Sequence, residues 1–155
     1  VVNQDVFWMS QAMDMALKAK AQGEVPIGAV LISENNQLLG CGWNQVIQTH
    51  DPTAHAEIIA IRKASSYLKN YRLLDSTLYV TLEPCSMCAG ALVHSRIRRL
   101  VFATRDFKAG AAGSVYNLIQ GHPLNHAIQV DEGLLQEEAA ALLTDFFKDR
   151  RKNPS

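Results

Sequence analysis

Apolar positions at the start of the chain recur at intervals of three and four. Val6, Met9, Met13, Ala16 and Leu17 follow Asp5, which is expected to cap the helix, and Gly23 ends the pattern before Pro26, which predicts an amphipathic helix. Two apolar runs, Ile27 to Ser33 and Gln37 to Trp43, flank the turn-forming cluster Glu34-Asn35-Asn36 and predict a β-hairpin. Asn44 to His50 is polar and predicts a loop. Asp51-Pro52-Thr53 then carries a helix-start pattern, and the helix runs on through Ile58, Ile59, Ile61 and Ala64 until Ser65-Ser66 loosens it. Thr77 to Leu82 alternates as a strand does, Pro84 opens a further helix through Val93, and Leu100 to Ala103 is a short buried strand. The small residues from Gly110 to Ser114 permit close backbone approach to another group. A turn-rich piece from Gln120 to His126 precedes a brief strand at Ala127 to Val130. A last helix, Leu134 to Arg151, is expected to turn Leu135, Ala139, Leu142, Leu143, Phe146 and Phe147 inward. The order predicts a single α/β domain spanning residues 1–155, a three-layer α/β/α arrangement with a mixed sheet of about five strands.

Composition changes this picture little. With 155 residues, nearly half of them apolar, the chain is long enough to bury a core without disulfides. No apolar run approaches the roughly 20 residues of a membrane span. The first residues lack the basic and apolar regions of a signal peptide, so a cytoplasmic location is expected. Formal charge is zero, with 15 basic and 15 acidic side chains, which argues against binding nucleic acid by bulk electrostatics. Local clusters stand out all the same: Arg96, Arg98, Arg99, Arg105 and Lys108 against the single acid Asp106, and Lys148, Arg150, Arg151 and Lys152 near the end.

The candidate chemistry lies in two short stretches, His55-Ala56-Glu57 and Pro84-Cys85-Ser86-Met87-Cys88. Cys85 and Cys88, three apart, share a helix face, whereas residues two apart on a helix point almost oppositely. His55 and Glu57 can therefore meet at one centre only near a helix start, so two helix N-termini would point at one place. Their positive dipole ends favour thiolates there. His55, Cys85 and Cys88 offer three ligands to one Zn²⁺ per chain and leave a fourth position for water, the mark of a catalytic site. Zinc lowers the pKa of such a water from about 15.7 toward 7. Glu57, left without a ligand role, is placed to act as general acid and base. Burial would raise its pKa and a metal would lower it. Cys41, in an apolar run, reads as a small buried hydrophobe. Other uses of the same residues are a structural zinc knuckle completed by Cys41, His50 or His94, and a dithiol redox site.

The pattern H-x-E followed by P-C-x-x-C resembles the zinc-dependent nucleobase deaminases of the cytidine and deoxycytidylate deaminase superfamily. Longer strings, Glu24 to Val30, Asp51 to Glu57, Thr81 to Cys85, Arg105-Asp106 with Lys108, Gly110 to Ser114, and Asp145 to Phe147 with Arg150-Arg151, look most like the bacterial tRNA-specific adenosine deaminases. The resemblance covers nearly the whole chain. It implies a cytidine-deaminase-like fold, a homodimer, and hydrolytic conversion of adenosine to inosine at the wobble position of a tRNA anticodon stem-loop. By that resemblance Glu57 moves the protons, Asn44 reads the base edge with backbone help at Ala56, and Pro84 lines the site. Asp106 and Lys108 meet the target's sugar-phosphate, and Arg150, Arg151 and Lys152 meet flanking backbone. Val46 and Phe107 are less typical of the family. Zero net charge is compatible with this substrate, because loop bases are read by pockets and stacking. A deaminase of free nucleobases or nucleotides and a non-catalytic zinc module are the competing readings.

Overall fold

The computed structural model describes residues 2–120 and 126–152. Its elements are α1 (Val2–Ala21), β1 (Gly28–Ile32), β2 (Leu38–Trp43), α2 (Val46–Thr49), α3 (Ala56–Leu68), β3 (Thr77–Leu82), α4 (Ser86–Ser95), β4 (Arg99–Thr104), β5 (Gln129–Glu132) and α5 (Gln136–Lys152). One mixed sheet has the order β2-β1-β3-β4-β5. β1 pairs antiparallel with β2 and β3, while β3, β4 and β5 run parallel.

The three layers follow from the two-residue period of the strands. Ala29, Leu31, Leu78, Val80, Leu100 and Phe102 face one core with Ala56, Ala60 and Ala64 of α3 and Ala89 and Leu92 of α4. Val30, Ile32, Tyr79, Val101 and Ala103 face the other, with Trp8, Met9, Ala12 and Met15 of α1 and Ala139 of α5. The alanines of α3 let it lie close on the sheet, and Gly42 closes the last gap. A Cβ at Gly42 would stand 2.6 Å from the Ala56 carbonyl oxygen and 2.9 Å from the Ile59 Cβ, so this glycine sets how near the start of α3 comes to β2.

The three-layer α/β expectation is met, with local corrections. Val6 and Leu17 are exposed, because the buried stripe of α1 runs through Trp8, Met9, Ala12, Met15, Ala16 and Ala19. The 44–50 loop contains the one-turn α2, whose Ile47 and Gln48 N–H groups donate to the buried Glu24 carboxylate at 3.1 and 2.7 Å. Asp51 does not cap α3. Its Oδ1 accepts from the N–H and hydroxyl of Thr53, a local turn, and the helix begins three residues later and continues past Ser65-Ser66 to Leu68. β5 lies at 129–132 rather than 127–130. Phe147 is exposed because the buried arc of α5 is narrow, with Ala139 and Phe146 at its centre. Cys41 sits half-buried in β2, packed against the core of α1. Residues 121–125, most of the expected turn-rich piece, lie outside the described residues. Among the described residues no helix is long and apolar enough to cross a membrane.

Asp5 does not cap α1, which begins at Val2; its carboxylate instead enters an ion-pair network that fastens α1 across the parallel strands. Arg99 of β4 donates to both Asp5 oxygens at 2.8 and 2.9 Å and to Asp131 of β5 at 2.7 Å, and the Tyr79 hydroxyl donates to Asp5 at 2.6 Å. The Arg99 guanidinium, helped by Tyr79, holds the Asp5 carboxyl below its ordinary 3.8 although burial pushes it up. A carboxyl depressed on folding stabilises the fold above its unfolded pKa, and that contribution fades as pH falls through the folded value. Asp5→Asn is therefore expected to be less stable than wild type near neutral pH, with the gap in urea midpoint narrowing below about pH 4. A gap independent of pH would contradict this.

Candidate active site

β3 and β4 run parallel and end together, at Leu82 and Thr104, and the Glu83 N–H donates to the Thr104 carbonyl at 2.9 Å. Their carboxyl ends form the edge of an α/β sheet where ligands characteristically bind. α3 and α4 both start at this edge. His55 is the N-cap of α3 (φ −76°, ψ 155°) and Cys85 the N-cap of α4 (φ −74°, ψ 177°). Both are extended, and neither helix carries a side-chain cap bond. Two N-termini thus point at one centre, as the spacing requires. His55 lies outside its helix and Glu57 is that helix's second residue, so they converge although two apart.

The His55 Nδ1 lies 3.6 Å from the Cys85 Sγ and 3.5 Å from the Cys88 Sγ. A tetrahedral zinc with Zn–S near 2.3 Å and Zn–N near 2.05 Å sets an S···N edge of about 3.6 Å. All three ligand atoms fall within 4.8 Å of one another. Two soft sulfurs and one imidazole nitrogen at that spacing fit zinc, and three donors leave one tetrahedral position for a reacting oxygen. Among the described residues Cys41, His50 and His94 do not join this cluster, so no fourth protein ligand closes it.

Taken as ionisable groups of the protein alone, the sulfurs are already divided. A hydrogen bond from Cys88 holds the Cys85 thiol down to about 4 against burial, and that bond together with burial pushes Cys88 up. The Cys85 sulfur in turn raises His55. Glu57 is 4% exposed, and burial pushes its carboxyl up to about 7 although its own backbone N–H and Cys88 donate to it.

Glu57, His55 and Cys85 line an inner cavity of about 180 Å³ together with Ile27, Leu82, Glu83, Asp106 and Ala109. His55, Ile27, Leu82 and Asp106 also border a larger outer groove of about 560 Å³. Its remaining walls come from Val25 and Asn44 on one side, Arg105 to Lys108 on a second, and Leu143 and Phe147 of α5 on a third. The inner cavity lies at the ligand cluster and shares Ile27, His55, Leu82 and Asp106 with the groove.

The expected binding residues divide in two. Asn44, buried and anchored by its N–H to the Ile27 carbonyl at 3.1 Å, lines the groove with Asp106 and Lys108. Ala56 is fully buried at the first turn of α3, and the buried Pro84 accepts the Ala111 N–H at 2.8 Å. The Asp106 Oδ1 accepts the N–H groups of Lys108 and Ala109 at 3.0 and 3.2 Å, so it shapes its own turn. Arg150 and Arg151 do not reach this groove. Arg150 donates to the Gly23 carbonyl at 2.7 Å, lies over the Phe146 ring and borders a separate groove beside Lys20 and Ile47, while Arg151 is exposed on the last turn of α5.

Sequence reasoning passed over Glu83. This carboxylate, 2% exposed, accepts the N–H groups of Asp106 (3.1 Å), Ala112 (2.9 Å) and Ser114 (3.1 Å) and the Ser114 hydroxyl. Burial pushes it up, but these donors outweigh that and hold it below the ordinary carboxylate range. Gly110 lies against it, and a Cβ there would stand 2.5 Å from both the Glu83 Oε1 and the Asp106 carbonyl oxygen. The small-residue run from Gly110 thus closes on Glu83. Arg105 extends the clamp, with a bidentate pair to Glu132 of β5 at 2.8 and 2.7 Å and a 3.4 Å contact to the Ser114 hydroxyl.

Residues 2–104 match the family model of the cytidine and deoxycytidylate deaminase zinc-binding region. The chain belongs to the cytidine and deoxycytidylate deaminase family. Within this deaminase family it is 52% identical over 144 residues to a tRNA-specific adenosine deaminase of Haemophilus influenzae, covering 93% of this chain and 83% of that one. Its fold is similar to a structure solved in a study of A-to-I editing by tRNA:A34 deaminases at the wobble position of transfer RNA. The TM-score is 0.84 and the identity 41%, over 88% of this chain and 99% of that one. A guanine deaminase from Nitrosomonas europaea is also similar, with TM-score 0.75 and 29% identity over 90% of this chain and 82% of the other.

Proposed function

We propose that the chain catalyses hydrolytic deamination of adenosine to inosine at the wobble position of a tRNA anticodon loop, acting as a cytoplasmic homodimer. The observation that carries the chemistry is the buried Glu57 sharing one small cavity with His55 and Cys85. The substrate class is supported by the similarity to tRNA-specific adenosine deaminases over nearly the whole chain. A homodimer is supported by the exposed apolar side chains of Tyr67 and Leu68 at the end of α3 and of Tyr71 and Leu74 in the segment after it.

His55, Cys85 and Cys88 would hold zinc, which supplies Lewis-acid activation of a water. Glu57 takes a proton from the water attacking C6 and delivers it to the ring N1, then takes the remaining proton from the new C6 hydroxyl and passes it to the amino group, so that the C6–N bond breaks and ammonia leaves. Adenosine and water thus become inosine and ammonia, with no net change in the protein. Asn44 holds the base edge, while the buried Ala56 and Pro84 back the helix starts that carry His55 and Cys85. Asp106 presents the turn that carries Lys108 toward the sugar-phosphate. Arg151 and Lys152, with Arg150 fixing the end of α5, face flanking phosphates.

Inosine formation in a short anticodon-loop hairpin, measured beside free adenosine and free guanine, tests this reading. The hairpin is expected to turn over and the free compounds to be poor substrates. Turnover of free guanine with none of the hairpin would overturn it in favour of a nucleobase deaminase.

A further inference from the structure

Phe107 is 78% exposed, more than any other large apolar side chain among the described residues. A single exposed apolar residue is ordinary by itself. This one is held in place. The Asp106 N–H is tied to Glu83, the Asp106 Oδ1 accepts the N–H groups of Lys108 and Ala109, and its carbonyl accepts the Gly110 N–H at 2.9 Å. The turn that bears Phe107 is thereby pinned from both ends, and the ring is presented at the rim of the outer groove. Phe147 of α5, 45% exposed, lines the same groove.

The chemistry of the rim selects the occupant. Flat apolar rings stand beside Lys108, with Arg105 paired to Glu132 behind the same rim, a combination that suits single-stranded nucleic acid, with base faces on the rings and phosphate near Lys108. A nucleotide whose base enters the inner cavity leaves its neighbours in the outer groove, because the sugar-phosphate backbone joins them. Resting on the function proposed above, we propose that Phe107 is a stacking platform for a base next to the target adenosine, and so sets tolerance for the flanking sequence. Stacking requires only a π-face, so the platform would favour having a base there over having none, with weak discrimination among bases.

The test uses the zinc-loaded full chain and an anticodon-loop hairpin. Phe107→Ala is expected to raise KM for the hairpin by about ten-fold or more, with kcat nearly unchanged, and Phe107→Trp to restore KM to within about three-fold of wild type. Hairpins with an abasic site on the 5′ or the 3′ side of the adenosine complete the cycle. On one of them wild type should lose the same factor, and Phe107→Ala should lose nothing more. An unchanged KM in Phe107→Ala would overturn the assignment, as would a penalty that persists on both abasic hairpins. A shift in the monomer–dimer equilibrium with KM unaltered would instead make the ring a contact between copies. Failure of wild type to form inosine in the intact hairpin would overturn the proposed function itself, which separates the two results.

Discussion

Replacing Glu57 with Gln is expected to lower kcat for inosine formation by about 10²- to 10⁴-fold while zinc content stays at about one per chain. The amide matches the carboxylate in shape, so the packing at the start of α3 survives, and His55, Cys85 and Cys88 are untouched. What is lost is the capacity to accept a proton and return it. A binding role alone would show as a raised KM with kcat preserved, whereas loss of the proton carrier lowers kcat and kcat/KM together. Elemental analysis beside single-turnover kinetics reads both halves of the expectation. Undiminished turnover in Glu57→Gln would remove Glu57 from the chemistry and reopen the reading of the cluster as a non-catalytic module.

Glu83→Ala is expected to cost nearly as much by a different route. Truncation strands three backbone N–H groups and a hydroxyl that now converge on one buried carboxylate. Each stranded buried donor costs about 1–3 kcal/mol, reduced where the loop relaxes toward water. For a domain of this length about 1 kcal/mol lowers Tm by 2–4 °C, so a fall of about 10 °C is expected by calorimetry. The freed 106–114 segment should also raise KM for RNA. Gly110→Ala probes the same contact from the other side, because its Cβ would overlap the Glu83 carboxyl group. The two substitutions should therefore be partly non-additive in a double-mutant cycle, since a shortened side chain at 83 removes the clash with the carboxyl group while the Asp106 carbonyl oxygen still stands 2.5 Å from the added Cβ. Additive losses would show that the carboxylate and the glycine act separately.

The difference between these two glutamates explains what a sequence can disclose. Glu57 was legible because its partners are two and roughly thirty residues away in motifs whose spacing is itself chemical information. The buried strands were legible because each needs only a period and an apolar composition. Glu83 was not, because a carboxylate's burial depends on where distant backbone N–H groups come to rest, here 23 to 31 residues along the chain. One signal did exist: a lone acid ending an apolar strand, and a later run of residues too small to fill space of their own. Asp51 misled for a related reason, since an Asp followed by Pro-Thr serves a turn as readily as a helix cap. The recognition of Phe147 as inward failed because alternate helical positions at the edge of an apolar arc are decided by the neighbouring element, and here that neighbour is a groove.

The uncapped starts of α3 and α4 limit how this protein can be made more heat-resistant. Placing Ser, Thr, Asp or Asn at a helix N-cap is a routine gain of about 0.5–2 kcal/mol. At both of these helices the position belongs to a ligand, His55 or Cys85. The fold accepts weaker helix starts in exchange for amide dipoles aimed at the reaction centre. Added thermal tolerance has to be built at the far end of the sheet, around Asp5, Arg99 and Asp131, where no such exchange has been made.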